Sequence, residues 1–116
     1  MQRDRLLLHE IIDAAERILV LTAGVTAETL ENERTTREAL MWSYTVLGEA
    51  CGRLSEELKM QHPGVPWRSP LALRNRIVHG YWQVSTSILI VTAEDDIPGF
   101  LTMVRDVLQS VEVEAQ

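Results

Sequence analysis

LMWSYTVLGEACGRLSEEL, residues 40–58, has the most regular apolar spacing in the chain. Its apolar side chains recur at steps of four and three residues, as on one side of a buried helix: Leu40, Tyr44, Leu47, Cys51, Leu54 and Leu58. The spacing predicts a helix of about seven turns. Thr35 and Glu38 form a capping-box pattern near its start, and the His62-Pro63-Gly64 segment should end it. We expect the six apolar side chains to lie in the core.

The segment before this helix carries a second apolar stripe at helical spacing: Leu8, Ile11, Ile12, Ala15, Leu19 and Thr22. It predicts a first helix that ends at Gly24. A short, polar, acid-rich piece over residues 25–34 follows, with Thr26 as its cap.

Two further helices are predicted after the His62-Pro63-Gly64 segment. Ser69 and Pro70 suit an N-cap and a first helical position, so we expect a helix over residues 70–79 with Gly80 just after its last turn. Residues 84–92 favour strand and helix alike. We interpret them as a helix because a lone strand would have no partner.

The last helix is predicted to begin at Asp95 or Asp96 with Pro98 in its first turn. Its inward stripe is Ile97, Leu101, Val104, Leu108 and Val111. Together these elements predict an all-α fold, an antiparallel bundle of four to five helices in a single domain over residues 1–116.

The composition narrows the class of protein. A chain of 116 residues excludes an enzyme with separate cofactor and substrate domains. No apolar run approaches the roughly 20 residues that span a bilayer, so no membrane insertion is expected.

Cys51 is the single cysteine, which excludes an internal disulfide and favours a reducing cytoplasm. Three Trp, two Tyr and one Phe are present, and we expect them to leave little for an aromatic stacking platform.

The charges are unevenly distributed along the chain. The net charge of -6 argues against non-specific coating of nucleic acid. Residues 59–93, however, contain no acidic residue and four basic ones, Lys59, Arg68, Arg74 and Arg76. This segment is therefore the expected place for a polyanion. The alternative is a bundle whose acidic residues merely lie elsewhere.

The same segment contains RNRIVHGYW, residues 74–82. The chain has no glycine-rich phosphate loop, no His-Glu-x-x-His and no Gly-x-Ser-x-Gly. An imidazole can take the proton from a ribose 2′-hydroxyl, and a guanidinium can hold the phosphate oxygens as they gain charge. Arg74 and His79 therefore suit phosphodiester chemistry that needs neither a metal nor a cofactor.

Helix geometry constrains how these two residues could act together. Five positions correspond to about 140° around a helix, so Arg74 and His79 point away from each other. A two-fold dimer could bring the Arg74 of one chain to the His79 of the other. Asn75 and Arg76 share the face of His79 and are assisting candidates. Glu49, which follows Gly48, could face a partner or a basic side chain, although a solvated face is the simpler reading.

Four residues separate Arg74 from His79, and one residue separates His79 from Tyr81. This pattern resembles the signature of HEPN-domain ribonucleases, and the chain is similar to their HepT-like toxin branch. Further similarities lie in Leu47-Gly48-Glu49-Ala50, Pro66-Trp67 and Asp96-Ile97-Pro98. The chain departs from the family pattern at Leu30, Ser85 and Ile90.

The resemblance implies a homodimeric HEPN-type bundle that cleaves RNA without metal at the dimer interface and leaves 2′,3′-cyclic phosphate or 3′-phosphate ends. Arg74 and His79 would be catalytic, while Lys59 and Arg68 are candidates for RNA binding. The resemblance further implies a type VII-like toxin, silenced when an MntA-like minimal nucleotidyltransferase antitoxin adds AMP to Tyr81. One alternative is a non-catalytic nucleotide- or substrate-binding subunit of such a nucleotidyltransferase. Another is a purely structural dimerisation module.

Overall fold

The computed structural model describes residues 2–115, and this part of the chain forms seven α-helices and one 3₁₀ turn. The long helices are α1 (Gln2–Thr22), α3 (Arg34–Arg53), α5 (Arg68–Gly80), α6 (Thr86–Asp95) and α7 (Ile97–Glu114). The short ones are α2 (Ala27–Glu31) and α4 (Glu56–Gln61), and the 3₁₀ turn is Tyr81–Gln83. No strand occurs within residues 2–115. The all-α prediction is confirmed.

The first helix ends as predicted. Gly24 has a φ of 70°, a left-handed conformation that glycine adopts readily. Thr26 then caps α2 by accepting a hydrogen bond from the Thr29 backbone N–H. The polar piece after Gly24 is therefore partly helical. Leu30 is fully buried beneath it.

The prediction of one seven-turn helix from residues 40–58 is wrong in one respect, because the chain leaves the helical conformation between α3 and α4. Ser55 adopts an extended conformation and caps α4 through its hydroxyl. The buried Asp4 carboxylate accepts from the Ser55 N–H at 2.9 Å and from the Ser55 hydroxyl at 2.6 Å. These bonds stabilise a break that the apolar spacing does not reveal, since Leu54 and Leu58 remain buried on either side of it.

Two predicted helix starts are also wrong. The capping box is absent, because Glu33 occupies the N-cap of α3 and Glu38 instead accepts from Arg34 at 2.7 Å. Likewise α5 begins at Arg68, before Ser69, with Trp67 at its N-cap. The helix also runs on to include Gly80.

The two C-terminal helices form as predicted. Ser85 caps α6 by accepting from the Ile88 N–H at 3.2 Å, so residues 84–92 contain a helix and no strand. In α7, Pro98 lies in the first turn. All five residues of the inward stripe of α7 are buried.

Contacts between the long helices give an antiparallel arrangement. Near its start, α1 meets the end of α3 through Asp4 and Ser55. The contacts between α1 and α7 show that these helices run in opposite directions. His9 of α1 lies beside Glu112 near the end of α7, whereas the later residue Glu16 pairs with the earlier residue Arg105. The buried apolar residues form one cluster shared by all these helices. In the part of the chain that the structure describes, no helix is both long and apolar enough to cross a membrane.

Cys51 and Tyr44 both lie in this core, as predicted. The Tyr44 hydroxyl donates to the Leu89 carbonyl at 2.7 Å and ties α3 to α6. Burial raises the pKa of the Cys51 thiol to about 12, against an ordinary value of 9.0. Burial also raises the pKa of Tyr44.

The free energy of unfolding should therefore fall as the pH rises above about 9, because the unfolded state then loses protons that the folded state keeps. Denaturant titrations between about pH 8 and pH 11 measure this slope. Cys51→Ala should reduce the slope and leave the Tyr44 part. A variant that loses stability as steeply as the parent would contradict the assignment to Cys51.

Candidate active site

The helix α5 packs against α3 and presents a polar face to solvent. Ile77 is the buried residue of α5. The exposed residues include Arg68, Ala72, Asn75, Arg76 and His79. Beside this face, a groove of ≈ 590 Å³ separates α5 from α6 and α7, with Arg76 in its lining. Two faces of α5 are thus accessible for a substrate or a second protein.

The packing of α5 on α3 depends on a glycine. A Cβ added at Gly48 would collide with the Arg74 Cβ and lie 2.5 Å from the Pro70 carbonyl oxygen. One turn later, a Cβ at Gly52 would lie 3.2 Å from the Leu71 Cδ1 atom. Gly48 therefore allows the backbones to approach at the position of Arg74.

Arg74 is held at the boundary between α3 and α5. Its side chain is 26% exposed. It donates to the Asn75 Oδ1 atom at 2.8 Å and lies 3.8 Å from the Glu49 Oε1 atom. Its Nε–H is buried and has no hydrogen-bond partner within residues 2–115. An unsatisfied buried donor costs about 1–3 kcal/mol.

Glu49 therefore faces a basic side chain rather than only solvent. The glutamate is about half exposed, so its pairing with Arg74 is weak and open to competition from another anion. Sequence reasoning left this possibility open but could not identify Arg74 as the partner, because the contact depends on how α3 and α5 cross.

His79 and Tyr81 lie at the other end of α5. His79 is exposed and forms no ion pair or side-chain hydrogen bond within the described residues. Tyr81 is 55% exposed, and its ring packs edge-on against Trp82 with centroids 5.6 Å apart. The pKa of Arg34 is raised chiefly by its hydrogen bond to Glu38, with a smaller contribution from Tyr81.

The predicted site residues are only partly brought together. α5 is continuous from Arg68 to Gly80, so Arg74 and His79 project about 140° apart within one chain. Arg68 lies at the start of α5, roughly 16 Å along the axis from His79. Lys59 is on α4, where it pairs with Glu56 at 3.5 Å. One chain alone therefore does not converge these groups on a single phosphate.

Trp42 is a feature that sequence reasoning missed. It is 64% exposed, and Tyr81 and Trp82 are exposed as well, so three of the six aromatic rings lie at the surface. The aromatic residues were expected to leave little for a stacking platform, and three of them nevertheless place a ring at the surface. A signal was present, because Trp42 lies off the stripe formed by Leu40, Tyr44 and Leu47.

No three His, Cys, Asp or Glu side chains within residues 2–115 are grouped so that they could hold a metal ion.

A family model described as "Ribonuclease HepT-like" matches residues 11–107, which include Gly48, Arg74, His79 and Tyr81. The chain belongs to the HepT-like ribonuclease family. Its similarity to a protein of Thermococcus cleftensis named "Probable ribonuclease HepT" is 30% identity over 91 residues, covering 78% of this chain and 83% of the relative.

Two further relatives are similar over greater lengths. A chain of Caldanaerobacter subterraneus named as a putative RNase is 27% identical and covers 94% of this chain and 97% of its own length. Another, from Methanocaldococcus jannaschii and named likewise, is 24% identical over 95% of this chain and 91% of its own length. No solved structure matches the chain significantly.

Gly48→Ala should destabilise this HepT-like protein by about 1–3 kcal/mol, because the added methyl group overlaps backbone and Cβ atoms that cannot move without shifting α5. Gly52→Ala is the matched control. Its methyl group meets only the end of the Leu71 side chain, and alanine has the higher helix propensity. Its free energy of unfolding should therefore be unchanged or slightly higher. Denaturant titrations of both variants test this, and equal effects would contradict the close approach at Gly48.

Proposed function

We propose that this HepT-like protein is a metal-independent endoribonuclease that cleaves RNA at a site shared by two copies of the chain. The observation that carries the proposal is the placement of Arg74 and His79 on different sides of one continuous α5, in a segment without acidic residues. Both groups have the chemistry for phosphodiester cleavage, but one chain cannot aim both at the same phosphate. A two-fold axis beside α5 would pair the Arg74 of each copy with the His79 of the other.

Charge supports RNA as the substrate. The exposed face of α5 carries Arg68, Arg76 and His79, whereas the chain as a whole is acidic. Phosphates would therefore be attracted to this face and repelled from most of the remaining surface. Lys59 is less suited to this role, since it already pairs with Glu56 and is 19% exposed.

The reaction follows from the two side chains. The His79 imidazole takes the proton of a ribose 2′-hydroxyl, the 2′-oxygen forms a bond to phosphorus, and the bond to the 5′-oxygen breaks. The leaving 5′-oxygen takes up a proton from solvent. Arg74 donates hydrogen bonds to the non-bridging oxygens, whose charge increases in the transition state. The products are a 2′,3′-cyclic phosphate, which water can open to a 3′-phosphate, and a 5′-hydroxyl.

Asn75 and Arg76 have assisting roles in this scheme. Asn75 accepts a hydrogen bond from Arg74 at 2.8 Å and so orients the guanidinium. Arg76 is exposed on the same face of α5 as His79, where it can bind an adjacent phosphate. Neither role requires a cofactor.

Purified protein should cleave single-stranded RNA in the presence of EDTA and leave cyclic or 3′-phosphate ends. His79→Ala and Arg74→Ala should each lower the rate by about 10²–10⁴-fold, because each removes one half of the chemistry. Mixing these two inactive variants should restore part of the activity, since a mixed dimer contains one intact site. Arg37→Ala is the control. In the parent chain the Arg37 guanidinium donates to the Leu30 and Glu31 carbonyls, so this variant removes an arginine outside the proposed site. Complete loss of cleavage in EDTA would contradict the metal-independent mechanism.

Failure of the mixed variants to recover activity would contradict the shared site. Binding of nucleotide or a partner enzyme by the parent without any cleavage would favour the alternative of a non-catalytic binding subunit.

We further propose that the ribonuclease is the cytoplasmic toxin of a type VII-like toxin–antitoxin pair. Its silencing partner would be an MntA-like minimal nucleotidyltransferase that transfers AMP to Tyr81. Accessibility supports Tyr81 as the target, because it is 55% exposed and the second tyrosine, Tyr44, is 1% exposed. An added AMP would place an anion and a bulky group two residues from His79. It would therefore repel and obstruct RNA.

Co-expression with such a nucleotidyltransferase should raise the intact mass of the chain by one or more AMP units and abolish RNA cleavage. Tyr81→Phe should prevent the mass increase. Tyr44→Phe is the matched control, and its chain should still be modified, because the Tyr44 hydroxyl is buried against the Leu89 carbonyl. An unmodified parent chain, or modification that persists in Tyr81→Phe, would exclude this regulation.

A further inference from the structure

A hollow of ≈ 240 Å³ lies next to Arg74, on the side of α5 that faces α1 and α3. α3 contributes most of its lining, from Trp42 through Val46 and Glu49 to Arg53. Because these residues are spaced three and four apart, they form one outward stripe of the helix. The hollow is smaller than the roughly 300–1,000 Å³ pockets that enclose drug-sized ligands. Its size therefore suits a single unit of a longer chain.

Trp42 gives this hollow an aromatic surface. Its side chain is 64% exposed, which leaves a large apolar ring in contact with water. A tryptophan ring in this setting is suited to stack a nucleic-acid base, and such stacking tolerates any base because every base has a π-face.

The charges of the hollow indicate how a nucleotide would be oriented. Arg53 and Arg74 line it together with Glu10 and Glu49. The two carboxylates disfavour a phosphate inside the hollow, but they can accept hydrogen bonds from a base or a ribose hydroxyl. Phosphates are favoured beside the guanidinium groups. Arg53 has no ion-pair partner among residues 2–115, so its charge is available for this contact.

We propose that this hollow is a substrate subsite, in which Trp42 stacks the RNA base next to the phosphate held by Arg74. The inference rests on the proposed ribonuclease function, since Arg74 is the residue assigned to the scissile phosphate. Arg74 and Trp42 both line the hollow, so a base attached to the ribose next to the bound phosphate would be directed toward Trp42. The subsite orients the substrate and tolerates different bases.

The test uses the full chain carrying His79→Ala, so that RNA is bound but not cut, and a single-stranded oligoribonucleotide whose cleavage position has been mapped with the parent. A series of these oligonucleotides, each lacking one base, scans the positions around the cleavage site. Removal of one base beside that site should weaken binding about 5- to 150-fold, the loss expected for one stacked base. Adding Trp42→Ala should weaken binding of the intact oligonucleotide by the same factor.

The decisive measurement is the coupling between the ring and the base. In the Trp42→Ala protein, removal of that same base should not weaken binding further. In the Trp42→Phe protein, removal of the base should still weaken binding, but less than in the protein that keeps Trp42. Val20→Ala is the control, because Val20 is 76% exposed on α1 and does not line the hollow. That protein should keep full sensitivity to the missing base. A structural role of Trp42 would lower affinity without removing this sensitivity.

Unchanged affinity and unchanged base sensitivity in Trp42→Ala would overturn the subsite. So would a lower assembly mass of Trp42→Ala in light scattering, which would assign the ring to a protein interface. If the parent cleaves RNA and Trp42 shows no coupling to any base, only the subsite is wrong. If the parent neither binds nor cleaves RNA, the proposed function and the subsite both fail.

Discussion

The close approach of α3 and α5 at Gly48 is the constraint on which the site depends. Because this position lacks a Cβ, the Pro70 carbonyl and the Arg74 Cβ can lie directly against α3. That contact determines where the guanidinium emerges, and it places Glu49 and Asn75 within its reach. It also makes Arg74 one wall of the hollow that contains Trp42. A single glycine of α3 thus positions Arg74, the residue of α5 that we propose binds the phosphate.

The rest of the bundle keeps this contact in place. Asp4 joins the start of α1 to the break between α3 and α4, and Tyr44 joins α3 to α6 through the Leu89 carbonyl. These three hydrogen bonds are buried or partly buried, where a lost partner leaves a polar group unsatisfied. α3 is therefore held at its end and in its middle. The polar face of α5 is left exposed, which is the arrangement expected of a surface that meets RNA and a second chain.

How much could be predicted varied with the physical origin of each feature. The burial of Leu47, Cys51 and Leu58 follows from spacing alone, since a helix must bury its apolar side. The break at Ser55 was missed because the apolar spacing continues across it, although Ser55 itself caps α4; the Asp4 carboxylate that also stabilises the break lies 51 positions earlier in the sequence. The helix start at Arg68 was also missed, since Trp67 occupies the N-cap without a side-chain hydrogen bond.

The sequence by itself determined the helical class, the inward stripes, the basic segment around Arg74 and His79, and the angle of about 140° between these two residues, because each depends on helix periodicity or on composition. Tertiary structure alone decided that Glu49 faces Arg74, that the Arg74 Nε–H is buried without a partner among residues 2–115, and that the exposed Trp42 lines the same hollow. These relations depend on how α1, α3 and α5 cross. Crossing is set by the summed packing of many side chains distant in the sequence, which no single motif encodes.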